Sequence, residues 1–142
     1  MSELHVLVVS DSAQARDTAC EMLLALGHLP QAADSTSDAL DRCCADCPDV
    51  VLVDIENPDI DKTDFTRRLL KLREAGTGRP CRIVHVLPFT SHEGRDSCTD
   101  AGADGFVTKP LLLTRLGSEI VRVLGLETEI SATVSDPSST AA

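Results

Sequence analysis

The stretch that decides the fold class is residues 48–57, which read PDVVLVDIEN. Residues 50–53 form an unbroken apolar run dominated by β-branched valine, as in a strand that is buried on both faces. The run ends at Asp54, an ionisable side chain directly after the strand. A strand buried on both faces requires helices on both sides of its sheet, so this stretch indicates an α/β protein with a parallel sheet.

The rest of the chain repeats the alternation of short apolar runs and helical patterns. The first helical pattern begins after Ser12, a favourable N-cap, and stops at Gly27, a favourable C-cap. The sequence predicts strands over residues 4–9, 29–33, 50–53, 81–87 and 105–107, and helices over residues 13–26, 35–44, 63–75, 91–101 and 111–124. Five β-α units with right-handed crossovers predict a doubly wound, five-stranded parallel sheet. His85, inside the fourth strand, is expected to pack in the core.

Length and composition indicate one folded domain. The chain has 142 residues, of which 42% are hydrophobic and 25% charged, and these are ordinary globular values. After Leu126 the chain is rich in Ser, Thr, Ala and acidic residues and loses its periodicity. We therefore expect a domain over residues 1–126 and a disordered tail or linker over residues 127–142. No apolar run approaches the roughly 20 residues of a membrane helix, so a cytoplasmic protein without a membrane span is expected.

Charge and aromatic content disfavour nucleic acid as a partner. The formal net charge of the chain is -10, which opposes binding to a phosphate backbone. The chain contains three Phe and neither Tyr nor Trp, so it lacks the stacking platforms of single-strand binders. We therefore expect protein partners rather than DNA or RNA.

The six cysteines do not indicate a disulfide framework, because the chain is long enough to build its own core. Cys44 and Cys47 have the C-x-x-C spacing of redox and zinc sites. No second such pair is present in the sequence. The spacing is therefore interpreted as a coincidence at a helix end in a reducing cytosol.

Polar residues follow the first, third and fifth predicted strands. They are Ser10 and Asp11, then Asp54 with Glu56, and finally Lys109. In a doubly wound sheet, ligands bind outside the carboxyl ends of the strands, at the point where the winding direction switches. Asp11 and Asp54 would place two carboxylates from adjacent strands near the Lys109 ammonium group. Such a set suits a hard divalent cation and a phosphoryl group, because phosphoryl transfer needs mainly positioning and charge compensation.

Three segments resemble the receiver domains of bacterial two-component response regulators and hybrid sensor kinases. They read VLVVSD at residues 6–11, PDVVLVDIENP at residues 48–58 and AGADGFVTKP at residues 101–110. Their order and separations extend the resemblance over roughly residues 4–125. The resemblance implies a flavodoxin-like (βα)5 fold with the strand order 2-1-3-4-5.

The resemblance also implies a role for each site residue. Asp54 would be the phosphoacceptor, taking a phosphoryl group from phosphohistidine or a small phosphodonor, and Lys109, before a cis Pro110, would pair with the transferred group. Asp11, Asp54 and the backbone carbonyl of Glu56 would hold Mg2+. The partner would be a histidine kinase or a histidine phosphotransfer protein, and a downstream regulator is a further candidate. The domain would accept a phosphoryl group rather than act as an enzyme.

Two positions depart from the receiver pattern. Receivers usually carry two consecutive acids after the first strand, and the first of these is Ser10 here. Counting back from Lys109 places Leu87, followed by Pro88, where receivers carry a switch Thr or Ser and a small residue. Leucine cannot make the hydrogen bond to a charged group that is worth roughly 1.5 to 3 kcal/mol.

These departures leave an alternative function open. The usual switch couples the missing hydroxyl to an aromatic residue, which is Phe106 here, and Thr90 or Ser91 is close enough in sequence to supply a hydroxyl instead. The alternative is an atypical pseudo-receiver, a protein-interaction module that acts independently of phosphorylation. The sequence also leaves open the oligomeric state and whether the chain is a single-domain regulator or part of a larger protein.

Overall fold

Strands and helices alternate along the described part of the chain. The computed structural model describes residues 4–57, 59–75, 81–87 and 102–135. The strands are β1 (His5–Ser10), β2 (Leu29–Ala33), β3 (Val50–Asp54), β4 (Arg82–Leu87) and β5 (Gly105–Thr108). The helices are α1 (Ala13–Ala25), α2 (Thr36–Ala45), α3 (Lys62–Ala75) and α4 (Leu113–Ser135). The predicted helix over residues 91–101 lies outside the described residues.

The strands form one parallel sheet in the order β2-β1-β3-β4-β5. The central strand β3 pairs with β1 and β4, and its Leu52 lies opposite Val8 and Val84. Every residue of β3 is buried, as the apolar run at residues 50–53 predicts. The predicted doubly wound, flavodoxin-like (βα)5 fold and its strand order are confirmed.

Successive residues of the central strand enter two separate cores. Leu52 belongs to a core that includes Leu23 of α1 and Ile120 of α4. Val53 belongs to a second core, which includes Phe65 of α3. Side chains of a strand point alternately to opposite faces, so helices cover both faces of the sheet and the central strands read as continuous apolar runs.

Serine side chains fix the starts of the first two helices. The Ser12 Oγ accepts a hydrogen bond from the Ala15 backbone N–H at 3.2 Å, and Ser35 caps α2 in the same way. After α1 the chain turns at Gly27, whose φ of 88° lies in the left-handed region that glycine adopts most easily. The predicted N-cap Ser12 is confirmed, whereas the C-cap is Leu26, one residue before the predicted Gly27.

His85 is the core histidine that the sequence predicts. Its side chain is buried in β4, with Nε2 2.7 Å from Thr66 Oγ1. The Thr66 hydroxyl donates its own hydrogen to the Lys62 carbonyl, so Nε2 of His85 is the donor in this contact. Burial, together with the nearby Lys62 charge, lowers the pKa of His85 to about 4. The imidazole is therefore neutral at neutral pH and serves packing.

The last helix is longer than the sequence predicts. α4 begins at Leu113 and continues to Ser135, whereas the predicted helix covers residues 111–124. Ser and Thr interrupt the apolar periodicity after residue 126, but no Pro or Gly occurs between residues 126 and 135 to stop the backbone. The division into a domain of residues 1–126 and a tail of residues 127–142 stays a prediction. Within the described residues, no helix is long and apolar enough to cross a bilayer.

The edge strand β5 is held by side chains of α4. Glu119 accepts a hydrogen bond from the Phe106 backbone N–H at 3.0 Å and pairs with Arg122 at 2.8 Å. Arg122 in turn donates to the Asp104 carbonyl at 2.9 Å. Gly105 lies against this pair: an added Cβ would be 2.7 Å from Arg122 Nη2 and would overlap the Glu119 carboxylate. An added Cβ would also be 2.8 Å from Val123 Cγ1, so a side chain at this position would displace the contacts that hold β5.

Gly105→Ala is expected to destabilise the fold by about 1 to 3 kcal/mol, because the new methyl group would push the Glu119–Arg122 pair off β5. Gly125→Ala is the matched control, since an added Cβ there meets nothing within 4 Å. The control should be neutral or more stable by about 0.5 to 1 kcal/mol, because it removes a helical glycine. Urea unfolding of the two variants measures both changes. Equal stability of Gly105→Ala and the wild type would contradict the proposed packing role.

Candidate functional site

Four predicted site residues meet at the carboxyl edge of the sheet. β1 is followed by Asp11, β3 ends at Asp54 with Glu56 two residues later, and β5 is followed by Lys109. Helix α1 packs on one face of the sheet and α2 and α3 pack on the other, so the winding direction switches between β1 and β3. The four residues therefore share the sheet edge that the sequence predicts, and their functional roles stay predictions.

Asp54 is a buried carboxylate, and one of its two oxygens forms an ion pair. Its residue surface is 2% exposed, and its Oδ1 lies 3.1 Å from the Lys109 Nζ. Its Oδ2 is buried and has no hydrogen-bond partner in the described part of the chain. Burial raises the pKa of Asp54, and the negative charges of Glu56 and Asp11 add to this effect, while Lys109 opposes it.

Lys109 is shared between two carboxylates. Its ammonium group contacts Asp54 and also the Glu56 carboxylate, whose side chain is 57% exposed. Burial alone would lower the pKa of Lys109, but its hydrogen bonds to Glu56 and Asp54 outweigh burial and raise it. The Lys109 backbone N–H donates to the Leu87 carbonyl at 2.8 Å, and the Lys109–Pro110 bond is cis, as the resemblance implies. The lysine is therefore charged and fixed at both its backbone and its ammonium group.

Asp11 holds the loop after β3. Its Oδ1 and Oδ2 accept hydrogen bonds from the backbone N–H groups of Glu56, at 3.2 Å, and Asn57, at 2.9 Å. Asp11 does not cap the following helix, because Ser12 is the N-cap of α1. Asp11 is exposed and lies close enough to Asp54 to raise its pKa. Two carboxylates and the backbone of the β3 loop thus face one small region.

Ser10 occupies the position where receivers usually carry an extra acid. It is fully buried and lies directly opposite Asp54 in the register of β1 and β3. Its Oγ accepts a hydrogen bond from the Ser12 N–H at 3.1 Å, and its carbonyl accepts one from Arg16 Nη1 at 2.8 Å. Sequence reasoning missed Arg16, because only the structure brings this α1 side chain back onto the strand end.

Leu87 ends β4 beside the site. It is 3% exposed and lies opposite Thr108, the residue before Lys109. Phe106 lies two residues earlier in β5, opposite His85, and is partly buried. The gap-free count that puts Leu87 at the end of β4 therefore agrees with the strand register. Pro88, Thr90 and Ser91 lie outside the described residues.

The site opens into a cleft of about 280 Å³. Asp54, Glu56 and Lys109 line it together with α1 residues that include Gln14 and Thr18. One water molecule takes roughly 30 Å³ of liquid volume, so the cleft is large enough for a phosphoryl group together with a hydrated cation.

The residues present fit a hydrated divalent cation. Within residues 4–57, 59–75, 81–87 and 102–135, no group of three His, Cys, Asp or Glu side chains converges as a metal cage. A hydrated Mg2+ does not need one, because it keeps several waters and takes one or two carboxylates from the protein. The buried Oδ2 of Asp54 has no partner among the residues that the structure describes, and Asp11 contributes a second carboxylate nearby. This donor set is hard, anionic and incomplete, which suits a cation that brings its own water.

Comparison with known sequences identifies relatives over most of the chain. A family model described as response regulator receiver domain matches residues 6–121. Response regulator MprA of Mycobacterium tuberculosis is 30% identical over 113 residues, which are 80% of this chain and 47% of that protein. Sensor histidine kinase AtsR of Burkholderia thailandensis is 32% identical over 123 residues, which are 85% of this chain and 20% of the kinase. The chain thus spans less than half the length of these relatives.

Solved structures share the fold at lower sequence identity. A CheY-like receiver domain protein from Methanospirillum hungatei superposes with a TM-score of 0.75 at 24% identity, covering 90% of this chain and 99% of that one. The receiver domain of sensor histidine kinase PA1611 from Pseudomonas aeruginosa, with a magnesium ion coordinated in its active site cleft, gives 0.73 at 22% identity. It covers 87% of this chain and 99% of that one.

Asp54→Asn is expected to raise the thermal unfolding midpoint at pH 7 by roughly 3 °C or more, because a neutral amide removes the burial penalty of the carboxylate. Lys109 keeps Glu56 as a partner in this variant. Burial raises the folded-state pKa of Asp54, so its ionisation opposes folding above the unfolded pKa and has no effect below it. The gain should therefore shrink as the pH falls from about 7 to about 3.

The control for this prediction is Asp59→Asn, which neutralises an exposed acid in the same loop. Its unfolding midpoint should stay within about 1 °C of the wild type at each pH. Thermal unfolding followed by circular dichroism at several pH values measures both variants. A lower midpoint for Asp54→Asn at neutral pH would contradict the assignment of burial as the dominant effect.

Proposed function

Since the chain belongs to the response regulator receiver domain family, we propose that it is a phosphoacceptor in a two-component phosphorelay. In this proposal Asp54 takes a phosphoryl group from a phosphohistidine, and Mg2+ is the cofactor. The observation that carries the proposal is the state of the Asp54 carboxylate. It is buried at the cleft, with one oxygen on Lys109 and the other without a partner in the described chain.

The transfer itself requires little covalent machinery from the protein. An Asp54 oxygen attacks the phosphorus, a new O–P bond forms, and the N–P bond of the donor breaks with its electron pair returning to the histidine ring. The raised pKa of Lys109 keeps its ammonium group charged at neutral pH, so it can neutralise the arriving phosphoryl oxygens. Burial around Asp54 excludes water and strengthens this electrostatic contact.

Asp11, Asp54 and the backbone carbonyl of Glu56 would hold Mg2+ at this site. When bound, the ion supplies positive charge to the phosphoryl oxygens and to the acceptor carboxylate. The carboxylate of Asp11 already organises the β3 loop by accepting the Glu56 and Asn57 N–H groups. That contact fixes the loop from which the Glu56 carbonyl would act as a ligand.

Glu56 competes with the incoming group for Lys109. Its carboxylate contacts the same ammonium group that would pair with the phosphoryl oxygens. Because the Glu56 side chain is more than half exposed, it can leave Lys109 for solvent at little energetic expense. We propose that the exchange of Glu56 for phosphoryl oxygen on Lys109 accompanies each transfer and influences its rate.

The family supports a proposal for the partners and for the class of protein. We propose a histidine kinase or a histidine phosphotransfer protein as phosphodonor, and a role as acceptor rather than as a turnover enzyme. A net charge of -10 argues against nucleic acid as a partner of this chain. The curated relatives are longer than this chain, so a downstream regulator or an output region belongs to the proposal and not to the observed fold.

Leu87 and Ser10 favour a second candidate, an interaction module that acts without phosphorylation. The buried Leu87 side chain ends β4 beside the site and offers no donor to a phosphoryl group. The phosphorylated state then lacks one contact by which it would differ from the unphosphorylated state. Ser10 gives the site one carboxylate fewer for a cation. The lysine and the acceptor carboxylate remain in contact, so we place this candidate second.

Incubation with acetyl phosphate or phosphoramidate and Mg2+ is expected to add one phosphoryl group to the wild type. Intact-mass spectrometry should detect this adduct, and it should be absent without Mg2+ and absent in Asp54→Asn. Asp59→Asn removes a neighbouring acid in the same loop and should be phosphorylated like the wild type. A folded wild type that forms no adduct with Mg2+ would favour the phosphorylation-independent module. An adduct retained in Asp54→Asn would refute Asp54 as the acceptor.

Ser10→Asp is expected to lower the Mg2+ dissociation constant by roughly tenfold, which corresponds to about 1.4 kcal/mol. The physical reason is that a further carboxylate would lie opposite Asp54 in the sheet register. Isothermal titration with MgCl2 measures the change. Ser35→Asp is the matched control, because it adds the same charge at the N-cap of α2 and keeps the cap. Equal gains in both variants would assign the effect to net charge and contradict the site.

A further inference from the structure

Three cysteines meet at the amino-terminal edge of the sheet, opposite the edge that carries Asp54. Cys43 lies in the last turns of α2, Cys47 follows that helix, and Cys81 directly precedes β4. Cys43 and Cys81 are buried in the core beneath α2 and α3, and Cys47 is half-buried against that core. The proposed phosphoacceptor site uses none of them.

Cys47 and Cys81 contact each other across two elements. Their side chains are within hydrogen-bonding reach, and the Cys47 Sγ also donates to the Pro48 carbonyl at 3.6 Å. The backbone brings them together, because the Arg82 N–H donates to the Asp49 carbonyl at 3.0 Å. Cys81 directly precedes Arg82, and Cys47 lies two residues before Asp49. The contact is thus fixed by the start of the β3–β4 pairing.

The two cysteines of the C-x-x-C motif lie in different environments in the structure. Cys44 is exposed, whereas Cys47 packs against the core that contains Cys81. Cys47, the second cysteine of the motif, therefore contacts Cys81, which lies 34 residues further along the chain. Within the described residues, no group of three His, Cys, Asp or Glu side chains, these cysteines included, is placed to hold a metal ion.

We propose that Cys47 and Cys81 are a redox modification site that closes to an intramolecular disulfide when a peroxide oxidises the domain. In the first step the Cys47 sulfur attacks a peroxide oxygen; with hydrogen peroxide, the O–O bond breaks, Cys47 becomes a sulfenic acid and one water leaves. In the second step the Cys81 sulfur attacks the Cys47 sulfur, and the S–O bond breaks with release of a second water. Two thiols are oxidised and one peroxide is reduced by two electrons.

The two thiols have different roles because they differ in access to solvent. Cys81 is 3% exposed and cannot meet a peroxide before its partner does, whereas Cys47 is half-buried and reachable. Burial also raises the pKa of Cys81 to about 12, so Cys81 stays protonated at neutral pH and reacts poorly with peroxide itself. In the second step its proton leaves with the sulfenic oxygen of Cys47 as water. Cys47 is therefore the peroxide-reactive residue, and Cys81 is the resolving residue.

The disulfide would tie the loop after α2 to the start of β4. It would close residues 48–80 into a covalent loop, which restricts the unfolded chain and stabilises the domain. The pair lies at the opposite edge of the sheet from Asp54 and Lys109. Failure of this proposal would therefore leave the phosphoacceptor assay unaffected, and failure of that assay would leave this proposal unaffected.

The test is oxidation of the native protein with hydrogen peroxide, followed by blocking of thiols and peptide mapping without reductant. The expected product is a Cys47–Cys81 linked peptide that disappears on reduction. Cys47→Ser and Cys81→Ala should both lose this product, whereas Cys44→Ser should keep it. In the Cys81→Ala variant a sulfenic acid probe should label Cys47, which shows the first step even where the second is blocked.

Peptide mapping of the wild type identifies the linked pair directly, so the result does not depend on whether Cys81→Ala folds. The same oxidation in urea is the control for the role of the fold. There the short sequence separation favours a Cys44–Cys47 bond, and the yield of the Cys47–Cys81 peptide should fall several-fold. A Cys44–Cys47 bond in the native protein, or oxidation of single cysteines without an intramolecular bond, would overturn the proposal.

Discussion

The carboxylate of Asp54, buried at the end of the central strand, is the constraint on which the site depends. Burial makes this charge unfavourable, and the raised pKa of Asp54 records that penalty. The compensating charge comes from Lys109, which lies beyond β5, two strands away from β3. The position of β5 therefore decides the electrostatics of β3. Glu119, Arg122 and the absence of a side chain at Gly105 hold β5 in place.

The sharing of Lys109 between two carboxylates links this stability to function. If Lys109 contacted only Asp54, it would simply neutralise the acceptor carboxylate. Lys109 also contacts the exposed Glu56, and water can take the place of Glu56 on the ammonium group. In the proposed transfer, an arriving phosphoryl group would need the same ammonium group, and it would also need the Asp54 oxygen that has no partner within the described residues. The resting contacts therefore resemble the charge arrangement of the proposed transfer, with Glu56 in the place of phosphoryl oxygens. Little rearrangement of the backbone is required.

The sequence predicted those features that depend on local patterns. The apolar runs gave the strands, and the rule that parallel strands end at one edge brought Asp11, Asp54 and Lys109 together without any knowledge of their contacts. The sequence could not predict features that depend on non-local packing. The return of Arg16 to the Ser10 carbonyl and the choice of Cys81 as neighbour of Cys47 depend on how elements pack. The length of α4 was missed because serine and threonine weaken periodicity without breaking a helix.

The two departures from the receiver pattern affect different parts of the proposed cycle. Ser10 removes a negative charge opposite Asp54, which weakens attraction for a cation and also lessens the repulsion on the acceptor. Leu87 removes a donor that only a phosphorylated state would use, so it bears on the conformational response rather than on the attack by Asp54. The acceptor carboxylate and its lysine do not depend on either position. On the proposed function, acceptance of a phosphoryl group and transmission of a signal are therefore separable in this chain.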